Sequence, residues 1–169
     1  RRDSVRAMLP DQSLAATAVH AWTLNLARAE KVFLGRSDEA LREPIAPGKN
    51  RLVYLFGHLI AVHDGMLPLL GIGPRRHPGL DAAFLTEADR NTTALPSAAE
   101  LTALWRDVHG ELKAGFDSFS PADWTARHTA MTDDEFAANP LRNRLAVLLN
   151  RTAHMAYHVG QCALVAPSE

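Results

Sequence analysis

Apolar residues along this chain recur at helical rather than strand spacing. Between Ser13 and Phe33 they fall at Leu14, Ala18, Trp22, Leu26, Ala29 and Phe33, and Gly35 follows as a stop. Between Asn50 and Leu70, residues Leu52, Leu55, Phe56, Leu59, Val62, Met66, Leu67 and Leu70 fill one broad arc, at about 100° per residue. Gly71, Gly73 and Pro74 end this second helix. Ser97 with Glu100 is a capping-box pattern, which predicts a third helix through Leu101, Leu104, Trp105, Val108 and Leu112 to Phe119. Ser120, Pro121 and Asp123 open a short helix. Asn139 and Pro140 repeat that device, predicting a last long helix from Pro140 to Val165 with Leu141, Leu145, Leu148, Thr152, Met155 and Val159 on one stripe. No sustained apolar–polar alternation and no hairpin dipeptide predicts a strand.

Four long amphipathic helices predict an all-α four-helix bundle. The polar, irregular stretch from Gly71 to Pro96 exceeds the roughly two to eight residues that join antiparallel neighbours. It can therefore cross the bundle and leave the second and third helices parallel. With no repeat and no low-complexity linker, residues 1–169 read as a single domain, of which 1–11 are expected to be a poorly ordered N-terminal segment.

Composition narrows the function classes. A formal charge of -1 argues against a nucleic-acid partner, because duplex binding rests on a basic face that neutralises phosphates. One cysteine, Cys162, excludes an internal disulfide and fits a reducing cytoplasm; its position near a helix end reads as a small buried hydrophobe. No apolar run is read as approaching the ~18 residues of a membrane span, and no signal-peptide core follows the N-terminus. Trp22, Trp105 and Trp124 are expected to anchor core or interface.

The candidate chemistry lies in histidines. His154 and His158 stand one turn apart on the last helix, about 40° apart in projection, at the edge of its apolar stripe. Alone such a pair is a weak signal: in an arbitrary helix it is more often solvated or half-buried, although two ligands so placed can grip one divalent metal. His58 projects at the matching edge of the second helix, where Gly57 permits a close approach. Three imidazoles near one seam can supply three ligands and leave a position open, the coordination of a catalytic site. His63 is the rival, but it falls mid-arc, where a buried, hydrogen-bonded core histidine is expected. His20, His77, His109 and His128 read as structural or solvated, His20 and His109 because the apolar residues of their helices lie elsewhere.

The pieces Gly57-His58-Leu59 and His154-Met155-Ala156-Tyr157-His158-Val159-Gly160-Gln161 resemble the DinB/YfiT-like family of bacterial four-helix proteins. The helix layout and the long crossover match as well. The resemblance implies an up-down-down-up bundle, commonly a homodimer, with a divalent metal on His58, His154 and His158. Zinc or nickel leads the expectation, with iron, copper or manganese also compatible with imidazole. It further implies one of several activities: transfer of a low-molecular-weight thiol to an electrophile, an isomerase activity, or metal-dependent hydrolysis. A non-catalytic, metal-binding, stress-response scaffold is the alternative from another class.

The residues bear on that choice. The metalloprotease pattern H-E-x-x-H places its general base after the first histidine, where this chain has Met155. Asp64 and Glu111 are the other conceivable bases. A bound thiolate needs no such base, so the sequence favours thiol transfer over hydrolysis. Gln161 and Asn150, one turn beyond and one turn before the pair, can orient a ligand ring. Arg151 can meet a substrate carboxylate or stay solvated, His63 remains a further candidate contact, and Tyr157 turns away from the apolar stripe.

Overall fold

Caps set most of the helix boundaries. In the computed structural model, which describes residues 10–91, 94–163 and 165, helix α1 spans Pro10–Phe33. A one-turn helix α2, Asp38–Leu41, is capped by the Ser37 hydroxyl. Helix α3, Leu52–Asp64, continues after Gly65 as α4, Met66–Leu70, and stops at Gly71, whose φ of 73° is left-handed. Helix α5, Ala98–Ser118, begins with the Ser97/Glu100 capping box, and α6, Pro121–Thr125, with the Ser120/Asp123 box. Helix α7, Asp133–Ala138, carries a third box, Thr132/Glu135, which the apolar pattern does not reveal because none of its residues is buried. Helix α8 spans Arg144–Cys162. Among the described residues the chain is mostly helical, with two isolated bridges and no strand.

Several boundaries differ from the sequence reading; α8, for one, ends at Cys162 rather than Val165. Helix α1 starts at Pro10, so only residues 1–9 of the expected N-terminal segment lie outside the described residues. Helix α8 starts at Arg144 rather than Pro140, because the Asn143 side chain, not Asn139, caps it through the Ala146 amide at 2.9 Å. Leu141 accordingly leaves the stripe and lies 80% exposed.

Helix α1 packs along α8 and α3 along α5, with further contact between α3 and α8. Trp22, Phe33, Phe56, Trp105, Leu112, Leu148 and Met155 meet in the shared core, and Trp124 joins it from α6. Helix α3 is buried more fully than its arc predicts: Val53, Ile60 and Ala61 lie inside as well. Contrary to the sequence expectation, the run Leu52–Leu70 is long and apolar enough to cross a membrane by composition, yet 67% of it is buried inside the fold. A helix that is apolar all round needs cover on every side, and here the crossover supplies it.

The crossover is clamped to α3 at both ends. At its start, buried Asp64 accepts hydrogen bonds from Arg75 Nε (3.0 Å) and from the Arg76 and His77 amides (2.8 and 3.0 Å). Near its end, buried Asp89 accepts from the Arg51 amide (2.7 Å) and guanidinium (3.0 and 2.8 Å), beside the first turn of α3. Between the clamps, one wide turn at Ala82–Thr86 presses the Phe84 ring onto α3 at Gly57. A buried carboxylate with several charge-assisted donors resists dislodging, because removing one partner strands the other.

His63 and His109 are both buried. His63 Nδ1–H donates to His109 Nε2 at 2.9 Å, and His109 Nδ1–H donates to the Trp105 carbonyl at 2.8 Å. His109 therefore faces the core, not a separate polar side of its helix. Burial holds both rings neutral, His109 at about 4 and His63 well below the ordinary histidine value. The folded state thus refuses protons that the unfolded chain accepts below about pH 6.5. Stability is flat above that pH and falls as pH drops toward 4, by up to ~1.4 kcal/mol per pH unit for each histidine. Denaturant midpoints at pH 7.5, 6 and 5 should show this fall, and His109→Gln should flatten it by one proton's worth. A midpoint unchanged to pH 5 would contradict the neutral pair.

Candidate metal centre

His58 comes from the middle of α3, His154 and His158 from successive turns of α8, and all three rings are half-buried. Their Nε2 atoms converge: His58 to His154 is 3.3 Å and His158 to His154 is 3.1 Å, and all three lie within 4.8 Å of one another. Nitrogens held about 2.0–2.1 Å from one ion stand about 3.0–3.4 Å apart, so the His58–His154 and His154–His158 spacings fit a common ligand shell.

The hydrogen bonds behind the rings fix which nitrogen faces inward. His58 Nδ1–H donates to the Phe84 carbonyl at 2.8 Å, and a carbonyl only accepts. His158 Nδ1–H donates to Gln161 Oε1 at 2.8 Å, and Gln161 Nε2 donates in turn to the Tyr157 hydroxyl at 3.1 Å. Both rings therefore turn a lone pair toward His154. A proton on His154 Nε2 can satisfy one of those lone pairs, not both. A cation at the centre satisfies all three nitrogens, so the donor set fits a divalent metal. Burial, then the neighbouring His158 and His58, pushes His154 down to about 4, and burial lowers His158 too; both rings are neutral and ready to ligate at pH 7.

The other candidates are placed as follows. Gln161 touches His158 and Tyr157 is largely exposed. Asn150 is exposed and does not reach His154, whose buried Nδ1 has no hydrogen-bond partner among the described residues. His63 contacts Trp22, Trp105 and His109 rather than the three-histidine group. The two conceivable bases are engaged elsewhere: Asp64 in its clamp, Glu111 beside Arg76 at 3.6 Å. Arg151 is half-buried on α8 and has no carboxylate partner among the described residues. The Phe84 carbonyl escaped the sequence reading, since a backbone acceptor leaves no side-chain signature; Gly57 was the visible trace of the ring packed there.

The orienting bond to His158 has a measurable consequence. Gln161→Leu should weaken divalent-metal affinity about tenfold to a hundredfold with helix content unchanged, as loss of such partners usually does. A competition titration against a chromogenic chelator measures it, and an unchanged affinity would remove Gln161 from the site.

A mostly helical chain, with one imidazole from an early helix and two from the last, defines a class of helical proteins with a three-histidine group that could hold a metal. A match to the DinB superfamily over residues 21–162 agrees, and the chain belongs to that superfamily. No curated protein matches the chain.

Proposed function

We propose that this protein is a metal-dependent enzyme that transfers a low-molecular-weight thiol to an electrophilic carbon, with His58, His154 and His158 as ligands to zinc or nickel. The reading includes a single-domain, up-down-down-up four-helix bundle that works as a homodimer; exposed Leu14 and Leu24 on α1, with Leu149 and Tyr157 on α8, support self-association. The observation that carries it is the convergence of three imidazole nitrogens with no carboxylate among them in the described residues. A divalent metal on such a set supplies a Lewis acid that stabilises thiolate at neutral pH.

The chain's own residues fit this chemistry better than hydrolysis. Met155, at the position of the metalloprotease base, is fully buried, and Asp64 and Glu111 face other partners. Cys162 cannot serve as the nucleophile, since burial pushes its thiol up to about 12. The thiol therefore comes from a substrate. The thiol gives up its proton to solvent as it becomes thiolate, its sulfur forms the new C–S bond, and the electrophile's leaving group departs with the electron pair of the bond that breaks.

The test is conjugation of bacillithiol, mycothiol or glutathione with monochlorobimane by metal-loaded protein. Faster-than-background reaction with one of the three, lost on chelation, is expected. No acceleration with any would favour a non-catalytic metal-binding role.

A further inference from the structure

A concave site lies beside α8, N-terminal to the histidines. It has a volume of about 210 Å³ and is lined by His128, Arg142, Asn143, Asn150 and Arg151, with Leu69, Ala146 and Val147 as its apolar part. No carboxylate lines it. Arg51, Arg75, Arg76 and Arg127 pair with Asp89, Asp64, Asp107 and Asp133, whereas Arg28, Arg42, Arg90 and Arg106, which have no such partner among the described residues, are exposed. Neither Arg142 nor Arg151 has one within 4.0 Å among the described residues.

Arg151 is the telling member. Its guanidinium is half-buried and donates to no protein acceptor among the described residues, and burial lowers its pKa with no acid to oppose the shift. A partly desolvated, unpaired charge is costly, and a bound anion offsets that cost. His128 adds a donor. Its Nδ1 accepts from the Ala130 amide at 3.2 Å, so the proton of the neutral ring sits on Nε2. Burial, then Arg142 and Arg127, lowers the pKa of that ring against the opposing charge of Glu135, which also acts on Arg142 from outside the lining. Asn143 is spent on capping α8, whereas the Asn150 amide, which does not orient His154, is exposed at this site.

The site adjoins the three-histidine centre. Arg151 precedes His154 by three residues on one helix, about 4.5 Å along the axis and about 60° around it, and its charge is felt at His154.

We propose that this pocket binds the carboxylate of a small-molecule substrate, held by the forked guanidinium of Arg151 with Arg142 across from it, so that the substrate's reacting atom is presented to the histidine centre. Its part in catalysis rests on the thiol-transfer reading; the binding does not. The volume suits a few-carbon acid rather than a nucleotide, and planar guanidinium donors match a carboxylate in two parallel hydrogen bonds.

The experiment titrates metal-free, full-chain protein with succinate, its diamide succinamide, and inorganic phosphate, read by calorimetry. Saturable binding of succinate and none of succinamide is expected. Arg151→Gln and Arg142→Gln should each weaken succinate about tenfold to a hundredfold, as loss of a charged hydrogen-bonding partner does, while metal stoichiometry stays that of the parent. Arg142 is exposed, so its variant is expected to fold even where Arg151→Gln does not. Equal binding of succinamide, succinate binding that survives both substitutions, or no succinate binding would overturn the proposal. Phosphate binding in preference to succinate, lost in the same variants, would overturn the carboxylate assignment. A protein that binds succinate but conjugates no thiol loses the proposed function and keeps this site; conjugation without succinate binding loses this site alone.

Discussion

His154→Ala should lose stoichiometric divalent-metal binding while remaining as helical as the parent. The His154 Nε2 atom lies 3.3 Å from its counterpart on His58 and 3.1 Å from that on His158, so it links the ligand from α3 to the second ligand on α8. Without it two nitrogens remain, and affinity should fall by more than the hundredfold that marks the upper end for losing an orienting partner. Folding is expected to survive for a separate reason. The buried Nδ1 of His154 has no partner among the described residues, so alanine removes an unsatisfied polar atom and adds the residue with the highest helix propensity. In the parent, metal at a hundredfold excess over its Kd should add about 2.7 kcal/mol to stability, and the variant should gain nothing. Elemental analysis of tag-free protein after loading and desalting, alongside far-UV circular dichroism and denaturation with and without metal, tests both halves. One equivalent retained by the variant would show that the ligand set is wrong.

Gly57→Ala is expected to destabilise the protein by about 1–3 kcal/mol, although alanine ordinarily strengthens a helix by about 1 kcal/mol over glycine. A Cβ at this position would stand 2.2–2.5 Å from three atoms of the Phe84 ring, which is fully buried. The ring cannot swing into solvent without exposing that area, so the crossover must lift from α3. The displacement reaches the metal centre, because the Phe84 carbonyl holds the His58 ring. Metal affinity should therefore fall alongside stability, by about tenfold or more. Gly110→Ala is the control: nothing lies within 4 Å of its would-be Cβ in the middle of α5, and it should stabilise by about 0.5–1 kcal/mol. Urea denaturation of the two variants decides the matter. Equal stabilisation by both would mean that Phe84 does not pack on Gly57.

Much of the helical layout was legible because its signals are local. The Ser97/Glu100 and Ser120/Asp123 boxes place helix starts within a few residues of sequence, and the structure has both. The Asn139-Pro140 pair carries the same local signal and misleads, since the competing cap at Asn143 satisfies the Ala146 amide and lets α8 begin later. Helix α7 was not legible, because it buries nothing and leaves no apolar period. His109 was misread for the opposite reason: one helix in projection does not show that Trp22 and His63, from two other helices, close over it.

The same division runs through the site. By itself the sequence determined the helical class, the i, i+4 placement of His154 and His158, and the position of His58 at a helix edge, since each follows from the fixed geometry of one helix. Only the tertiary structure decided that the three Nε2 atoms meet, because their approach depends on how α3 packs against α8. It also decided which nitrogen of His58 faces inward. That choice belongs to a backbone carbonyl in the crossover, carried there by the Asp64 and Asp89 clamps and seated where Gly57 leaves room. The guanidinium of Arg151, without an acidic partner among the described residues, is of the same kind, for a missing partner becomes visible only in three dimensions.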